Sequence, residues 1–295
     1  MIPFTGSIVA LVTPMLEDGS VDYPALKRLI DWHIQEGTAC VCVVGTTGES
    51  PTVDVEEHCQ IIKTAVEHAA GRIPIMAGTG ANSTREAIAL SRFAKQVGAD
   101  CALSVVPYYN KPSQEGIYQH FKAIAEAVDL PTMLYNVPGR TVADMLPDTT
   151  LRCAGLPGVF GIKEASGNLD QIATILKHRP KDFLVISGDD ALTLPILALG
   201  GDGVISVVGN ALPTEFARLV EAAMAGDMPT ARREHFKLLE FMTQLFAEGN
   251  PGGIKEALKT LGLCGNQLRL PLVPVSEATA KKIYHAMADA EVVKL

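Results

Sequence analysis

Eight short runs of apolar and β-branched residues, starting roughly every 20 to 35 residues, constrain this 295-residue chain more than any other feature. They are SIVALV (7–12), CVCVV (40–44), PIMAG (74–78), CALSVV (101–106), TMLYN (132–136), VFGIKE (159–164), FLVISG (183–188) and GVISVV (203–208). Each reads as a continuous apolar stretch, not an alternating one, as parallel strands do when both faces are covered. Helical patterns lie between them. Asp22 opens YPALKRLIDWHIQEG, Asn82 or Ser83 can cap TREAIALSRFAKQVG, Ser113 precedes QEGIYQHFKAIAEAV, and Gly37 and Gly98 stand where helices end. Eight such units predict an α/β chain folded as a (β/α)8 TIM barrel over residues 1–225. After the eighth run only helical patterns follow, so 226–295 is expected to form a C-terminal helical extension. A doubly wound sheet would need a Gly-rich turn after its first strand, and TPMLEDGS stands there instead. GTGAN (78–82) reads as a tight turn.

Composition narrows the ligand class. A net charge of −8 with scattered Lys and Arg provides no footprint for nucleic acid or an anionic membrane. No run approaches the length of a membrane-spanning helix, and the N-terminus lacks the basic start of a signal peptide. Six dispersed cysteines without a C-x-x-C pair suggest free thiols in a reducing cytoplasm. Seven histidines without H-x-H or H-E-x-x-H spacing give no metal site, and no G-x-S-x-G elbow supports a serine hydrolase. Small metabolites are the expected ligands, with no catalytic metal.

In a barrel of this kind, chemistry sits at the C-terminal ends of the strands. That rim carries Gly45-Thr46-Thr47-Gly48-Glu49-Ser50, Pro107-Tyr108-Tyr109-Asn110, Tyr135-Asn136-Val137-Pro138-Gly139-Arg140, Lys163-Glu164 and Gly188-Asp189-Asp190. Lys163 follows VFGI in an apolar strand, where burial disfavours the ammonium form and leaves an amine able to attack a ketone; the plain alternative is a lysine paired with Glu164. Tyr135, on the adjacent strand, is placed to relay protons, unless its hydroxyl is tied to backbone. Thr46 and Thr47 suit a carboxylate or simply a turn, and Arg140 offers a bidentate fork or a surface ion pair.

Taken together, GTTGES (45–50), PYYNKPSQEG (107–116), YNVPGRT (135–141), GIKEASG (161–167) and SGDD (187–190) resemble the dihydrodipicolinate synthase family of pyruvate-dependent class I aldolases, essentially from Gly6 to the C-terminal helices. The resemblance implies that Lys163 forms an imine with pyruvate. It implies a proton-relay triad of Tyr135, Thr47 and Tyr109, with the last supplied by a neighbouring copy in a tight dimer, and two such dimers commonly make a tetramer. Thr46 and Thr47 would hold the pyruvate carboxylate, Gly188 and Ile205 would complete the substrate site, and Arg140 would hold the carboxylate of L-aspartate 4-semialdehyde. The implied activity is a lyase-type condensation in the diaminopimelate route to lysine, which requires no organic cofactor. Sialic acid and sugar-acid lyases share the Schiff-base lysine and form the alternative; a non-catalytic metabolite-binding barrel is a more distant one.

Some members of the family are inhibited by lysine, and Ser50, His58, Asn82, Glu86 and Tyr108 match residues used there, although Val55 replaces a histidine. A second departure is Asn250-Pro251-Gly252-Gly253-Ile254-Lys255, which lacks an expected proline before the following helix. It is expected to affect packing of the extension, not the catalytic rim.

Overall fold

A computed structural model describes residues 4–293. All eight predicted strands form, as β1 (Gly6–Ala10), β2 (Cys40–Val43), β3 (Ile75–Gly78), β4 (Cys101–Val105), β5 (Thr132–Asn136), β6 (Val159–Glu164), β7 (Leu184–Ser187) and β8 (Gly203–Ser206). They are parallel and close into a barrel in sequence order, β1 pairing with both β2 and β8. The helices are α1 (Tyr23–Gln35), α2 (Val55–Ala69), α3 (Thr84–Val97), α4 (Gln114–Ala127), α5 (Pro138–Thr141), α6 (Pro147–Cys153), α7 (Leu169–His178), α8 (Thr193–Ala198), α9 (Pro213–Met224), α10 (Met228–Leu245), α11 (Gly252–Thr260) and α12 (Glu277–Asp289).

The predicted caps are in place. Asp22 accepts from the Ala25 amide and Ser113 from Gly116; of the two candidates before α3 it is Ser83 that caps, accepting from Glu86. Gly37 and Gly98 take φ of +75° and +89°, the left-handed conformation that glycine enters without penalty.

Period-two alternation sorts the apolar strands into two cores. Ile8, Cys42, Met76, Leu103, Met133, Tyr135, Ile186 and Ile205 point into the barrel and pack together. Leu134, Ile162 and Val185 point outward beneath the helices. Phe4 stacks on Phe160 at 5.1 Å between centroids and adds to the inner cluster. The alternation puts Tyr135 and Lys163, which are register partners on β5 and β6, on the inside.

The extension is bound into the same fabric. Phe241, Ile254 and Met287 belong to one hydrophobic cluster with Val9 and Val41 of the barrel. Asn210, in the turn after β8, accepts from the Val12 amide and donates to the carbonyls of Ala10 and Val207. None of the described helices is long and apolar enough to cross a membrane. All six cysteines are unpaired, and no three His, Cys, Asp or Glu side chains among the described residues cluster as a metal would require.

Candidate active site

The loop after β2 is held by close backbone packing. Val44 takes φ +47° and Glu49 φ +59°, an uncommon conformation that is costly for a β-branched valine. A Cβ on Gly78 would lie 2.4 Å from the Val44 carbonyl oxygen, and one on Gly48 would lie 2.9 Å from Val44 Cα. Thr13 Oγ1 donates to the Gly48 carbonyl at 2.7 Å. These constraints bring Thr46 and Thr47 to the rim.

Lys163 is 6% exposed, and its Nζ stands 4.4 Å from the centroid of the Tyr135 ring. No carboxylate of the described residues pairs with it; Glu164 points to the opposite face, where Asn136 and Gln171 donate to its carboxyl. No hydrogen bond of the described residues ties the Tyr135 hydroxyl to backbone, so both chemical groups face the cavity. That cavity has a volume of about 510 Å³, in the range of small-molecule sites. Thr46, Thr47, Tyr135, Arg140, Lys163 and Gly188 all line it. Arg140 extends from α5 at the mouth and forms no ion pair with any described residue, leaving its fork free for a ligand.

Gly188 is there for space. A Cβ at this position would stand 3.0 Å from Lys163 Cε and 2.8 Å from Ala165 Cβ, so a side chain would push the lysine aside. Gly188→Ala is expected to lower kcat/KM about tenfold or more through misplacement of the amine, with a far smaller change in Tm. Steady-state kinetics beside a thermal melt would test it, and undiminished turnover would refute it.

Two expected residues lie elsewhere. Ile205 packs in the barrel interior beside Tyr135, and it is Val207, two residues on, that lines the cavity. Tyr109 is 90% exposed, at φ +71°, and lies outside the cavity lining of its own chain. A second cavity, sharing Thr46, Tyr135, Val137 and Arg140 with the first, is lined by Ser50 and Tyr108. Behind it His58 Nε2 donates to the Gly78 carbonyl at 2.7 Å; burial lowers its pKa, opposed by that bond and by Glu86. Burial and Glu86 together raise Tyr108.

The environment of the rim is strongly desolvating. Burial lifts the Cys42 thiol to about 11, offset in part by Lys163, and lifts the Glu164 carboxyl to about 7 against the hydrogen bonds of Ser166, Gln171 and Asn136. Asp190, accepting from the Val207 and Val208 amides, is raised to about 6, again by burial. Folded, these two carboxyls keep protons that the unfolded chain releases at ordinary carboxyl values. Their stabilisation is therefore complete below about pH 4 and is lost as pH rises through 6 and 7. For Glu164, about 2 kcal/mol is expected to disappear between pH 5.5 and pH 8, and Glu164→Gln should flatten that slope in melts across the range.

The rim also contains residues that motif reading does not supply. Met242, Thr243, Phe246 and Asn250, from α10 and the loop after it, line the cavity. Asn250 Nδ2 donates to Thr47 Oγ1 at 3.0 Å. Lys255 and Glu49, both wholly buried, pair at 2.5 Å. The expectation that the 250–255 departure concerns only the extension is thus corrected: this segment grips the rim loop that carries Thr47 and Glu49. Gly253 follows from contact, since a Cβ there would lie 2.3 Å from the Leu245 carbonyl oxygen.

The chain is similar to known proteins over nearly its whole length. The family model described as "Dihydrodipicolinate synthetase family" matches residues 3–290. The 4-hydroxy-tetrahydrodipicolinate synthase of Leptothrix cholodnii is 64% identical, with 98% of this chain and 99% of the relative covered. The crystal structure of dihydrodipicolinate synthase from Aquifex aeolicus superposes with a TM-score of 0.96 at 47% identity, covering 99% of this chain and all of that one. The chloride-inhibited enzyme from Acinetobacter baumannii, complexed with pyruvate, also gives 0.96 at 47% identity over 99% of this chain and all of that one. With the match running through the whole barrel and the extension that grips its rim, the chain belongs to the dihydrodipicolinate synthetase family.

Proposed function

We infer that the chain catalyses the condensation of pyruvate with L-aspartate 4-semialdehyde, the lyase-type reaction of the 4-hydroxy-tetrahydrodipicolinate synthases in the diaminopimelate route to lysine. The observation that carries the residue assignment is the buried Lys163 amine over the Tyr135 ring in a cavity with a free Arg140 at its mouth. Lys163 Nζ attacks the ketone carbon of pyruvate, and the carbinolamine loses its oxygen as water, giving the imine. Loss of a methyl proton then gives an enamine, whose carbon bonds to the aldehyde carbon while the aldehyde oxygen takes up a proton. The amino group of the second substrate displaces Lys163 and closes the ring.

Tyr135 and Thr47 carry protons through these steps, and the cavity walls exclude bulk water from the imine. Thr46 and Thr47 hold the pyruvate carboxylate, Gly188 shapes its pocket, Ile205 supports that pocket from the barrel interior, and Arg140 binds the carboxylate of the semialdehyde. Tyr109 completes the relay from a neighbouring copy; its 90% exposure supports this role. The active unit is accordingly a tight dimer, two of which form a tetramer, and sedimentation of the active species tests that assembly. Ser50, His58, Asn82, Glu86 and Tyr108 form a lysine-binding cleft beside the site, tested by titrating lysine against initial rates. Residues 226–295 act as a unit appended to the 1–225 barrel, and the six free thiols suit a cytoplasmic setting.

Incubation with pyruvate followed by borohydride reduction and peptide mass mapping tests the chemistry. An adduct on Lys163, with turnover of aspartate semialdehyde but not of sugar aldehydes, is expected. Folded protein that yields no adduct under saturating pyruvate would overturn the assignment.

A further inference from the structure

We propose that Asn250, delivered from the C-terminal extension, is a positioning residue that fixes the direction in which the Thr47 hydroxyl gives and takes protons. This rests on the relay role of Thr47 given above.

A threonine hydroxyl has one proton to donate and two lone pairs to accept with. In this chain the Asn250 Nδ2–H fills one lone pair at 3.0 Å. Thr47 is 2% exposed, so no bulk water competes for that position. Its O–H cannot point at the amide donor and is confined to the remaining directions, and Thr47 lines the same cavity as Tyr135 and Lys163. Accepting a hydrogen bond also polarises the O–H and makes it a better donor. A hydroxyl that relays a proton must donate on one side and accept on the other, and the amide leaves it one O–H and one lone pair to do so.

Asn250 is itself held in place. It is 8% exposed, and five residues beyond it the buried Lys255–Glu49 pair joins the extension to the same loop that carries Thr47. The Arg269 amide donates to the second oxygen of Glu49, and the Arg269 guanidinium pairs with Glu57 of α2. The segments that carry Asn250 and Thr47 are therefore tied together beside the bond, by the buried Lys255–Glu49 pair and by Arg269.

Asn250→Asp keeps the shape but replaces the donor with an acceptor, so the Thr47 proton is drawn away from the cavity at neutral pH. Protonation of the new carboxyl restores a donor. The expected result is a kcat lowered about tenfold at pH 8, with a raised KM for pyruvate because the new carboxylate stands beside the threonine that holds the substrate carboxylate, both recovering towards wild type as pH falls through the carboxyl range. Asn250→Ala, which removes the donor without adding an acceptor, should lose less and show no such recovery. In a Thr47→Val background, where no hydroxyl remains to be oriented, neither substitution should slow borohydride-trapped imine formation further; mass spectrometry over hours keeps such slow variants measurable.

A merely structural Asn250 would lower Tm, leave the pH profile unchanged and give losses that multiply with Thr47→Val, and that pattern would overturn the inference. If wild-type protein trapped pyruvate on Lys163 while Asn250→Asp matched it at every pH, the positioning role alone would fall. Absence of trapping in the wild type would instead remove the reading on which it rests.

Discussion

Lys163→Met is expected to leave a folded protein whose turnover has fallen by at least about 10⁴-fold, the order seen when a covalent nucleophile is removed. Methionine preserves most of the length and apolar character of the side chain, and among the described residues Lys163 has no ion pair or hydrogen bond to lose. Its side chain is instead packed into a site that is 6% exposed, which an apolar side chain of similar length can fill. The same substitution should therefore hold Tm level or raise it, because a group kept for chemistry is replaced by one that packs. Kinetics and calorimetry on the one variant give both results. Turnover within tenfold of wild type would show that the lysine is not the nucleophile, and a large fall in Tm would show that its main task is structural.

Lys255→Met is expected to have the opposite signature, a loss of stability of about 3–5 kcal/mol. Lys255 and Glu49 are both fully buried and 2.5 Å apart, and Lys255 Nζ also donates to the Gln267 carbonyl at 2.7 Å. Burial lowers the Lys255 pKa while Glu49 opposes that shift, so the lysine charge depends on the carboxylate. Removing the cation strands a carboxylate in the interior next to the strained loop that carries Thr47, and activity should fall with stability. Adding Glu49→Gln removes the stranded charge while keeping a side chain of the same length, and should recover much of the loss. Denaturant unfolding of the single and double variants measures this. Similar stabilities for the two variants, or a single variant within about 1 kcal/mol of wild type, would contradict the pairing.

These two lysines illustrate what can be read from a sequence. Lys163 was legible because its setting is local: four apolar residues before it, a strand period that turns it inward, and a tyrosine at the matching place in the preceding strand. The strands were legible for the same reason, since helices cover one face and barrel packing the other, leaving unbroken apolar runs. Lys255 was not legible. Its partner lies 206 positions away, and nothing in GGIKEALKT distinguishes a buried cation from one on a solvated helix face. Asn250 was hidden likewise, because an asparagine before proline looks like any turn until the chain returns to the rim. Ile205 and Val207 stand two residues apart on one run, where a period of two gives both the same face, so the sequence does not say that Val207 is the one lining the cavity.

Closure of the eight strands has a consequence for assembly. With β1 bonded to β8, every strand has a neighbour on both sides, so the barrel offers no strand edge on which another chain could template itself. Recognition between copies is left to side chains, helix faces and loops, whose fit depends on shape and charge and can be altered one residue at a time. The barrel backbone can thus stay constant while partner choice drifts across its outer surface. A residue such as Tyr109, on a loop outside the closed sheet, can be offered to a neighbour without loosening any hydrogen bond that holds the barrel together.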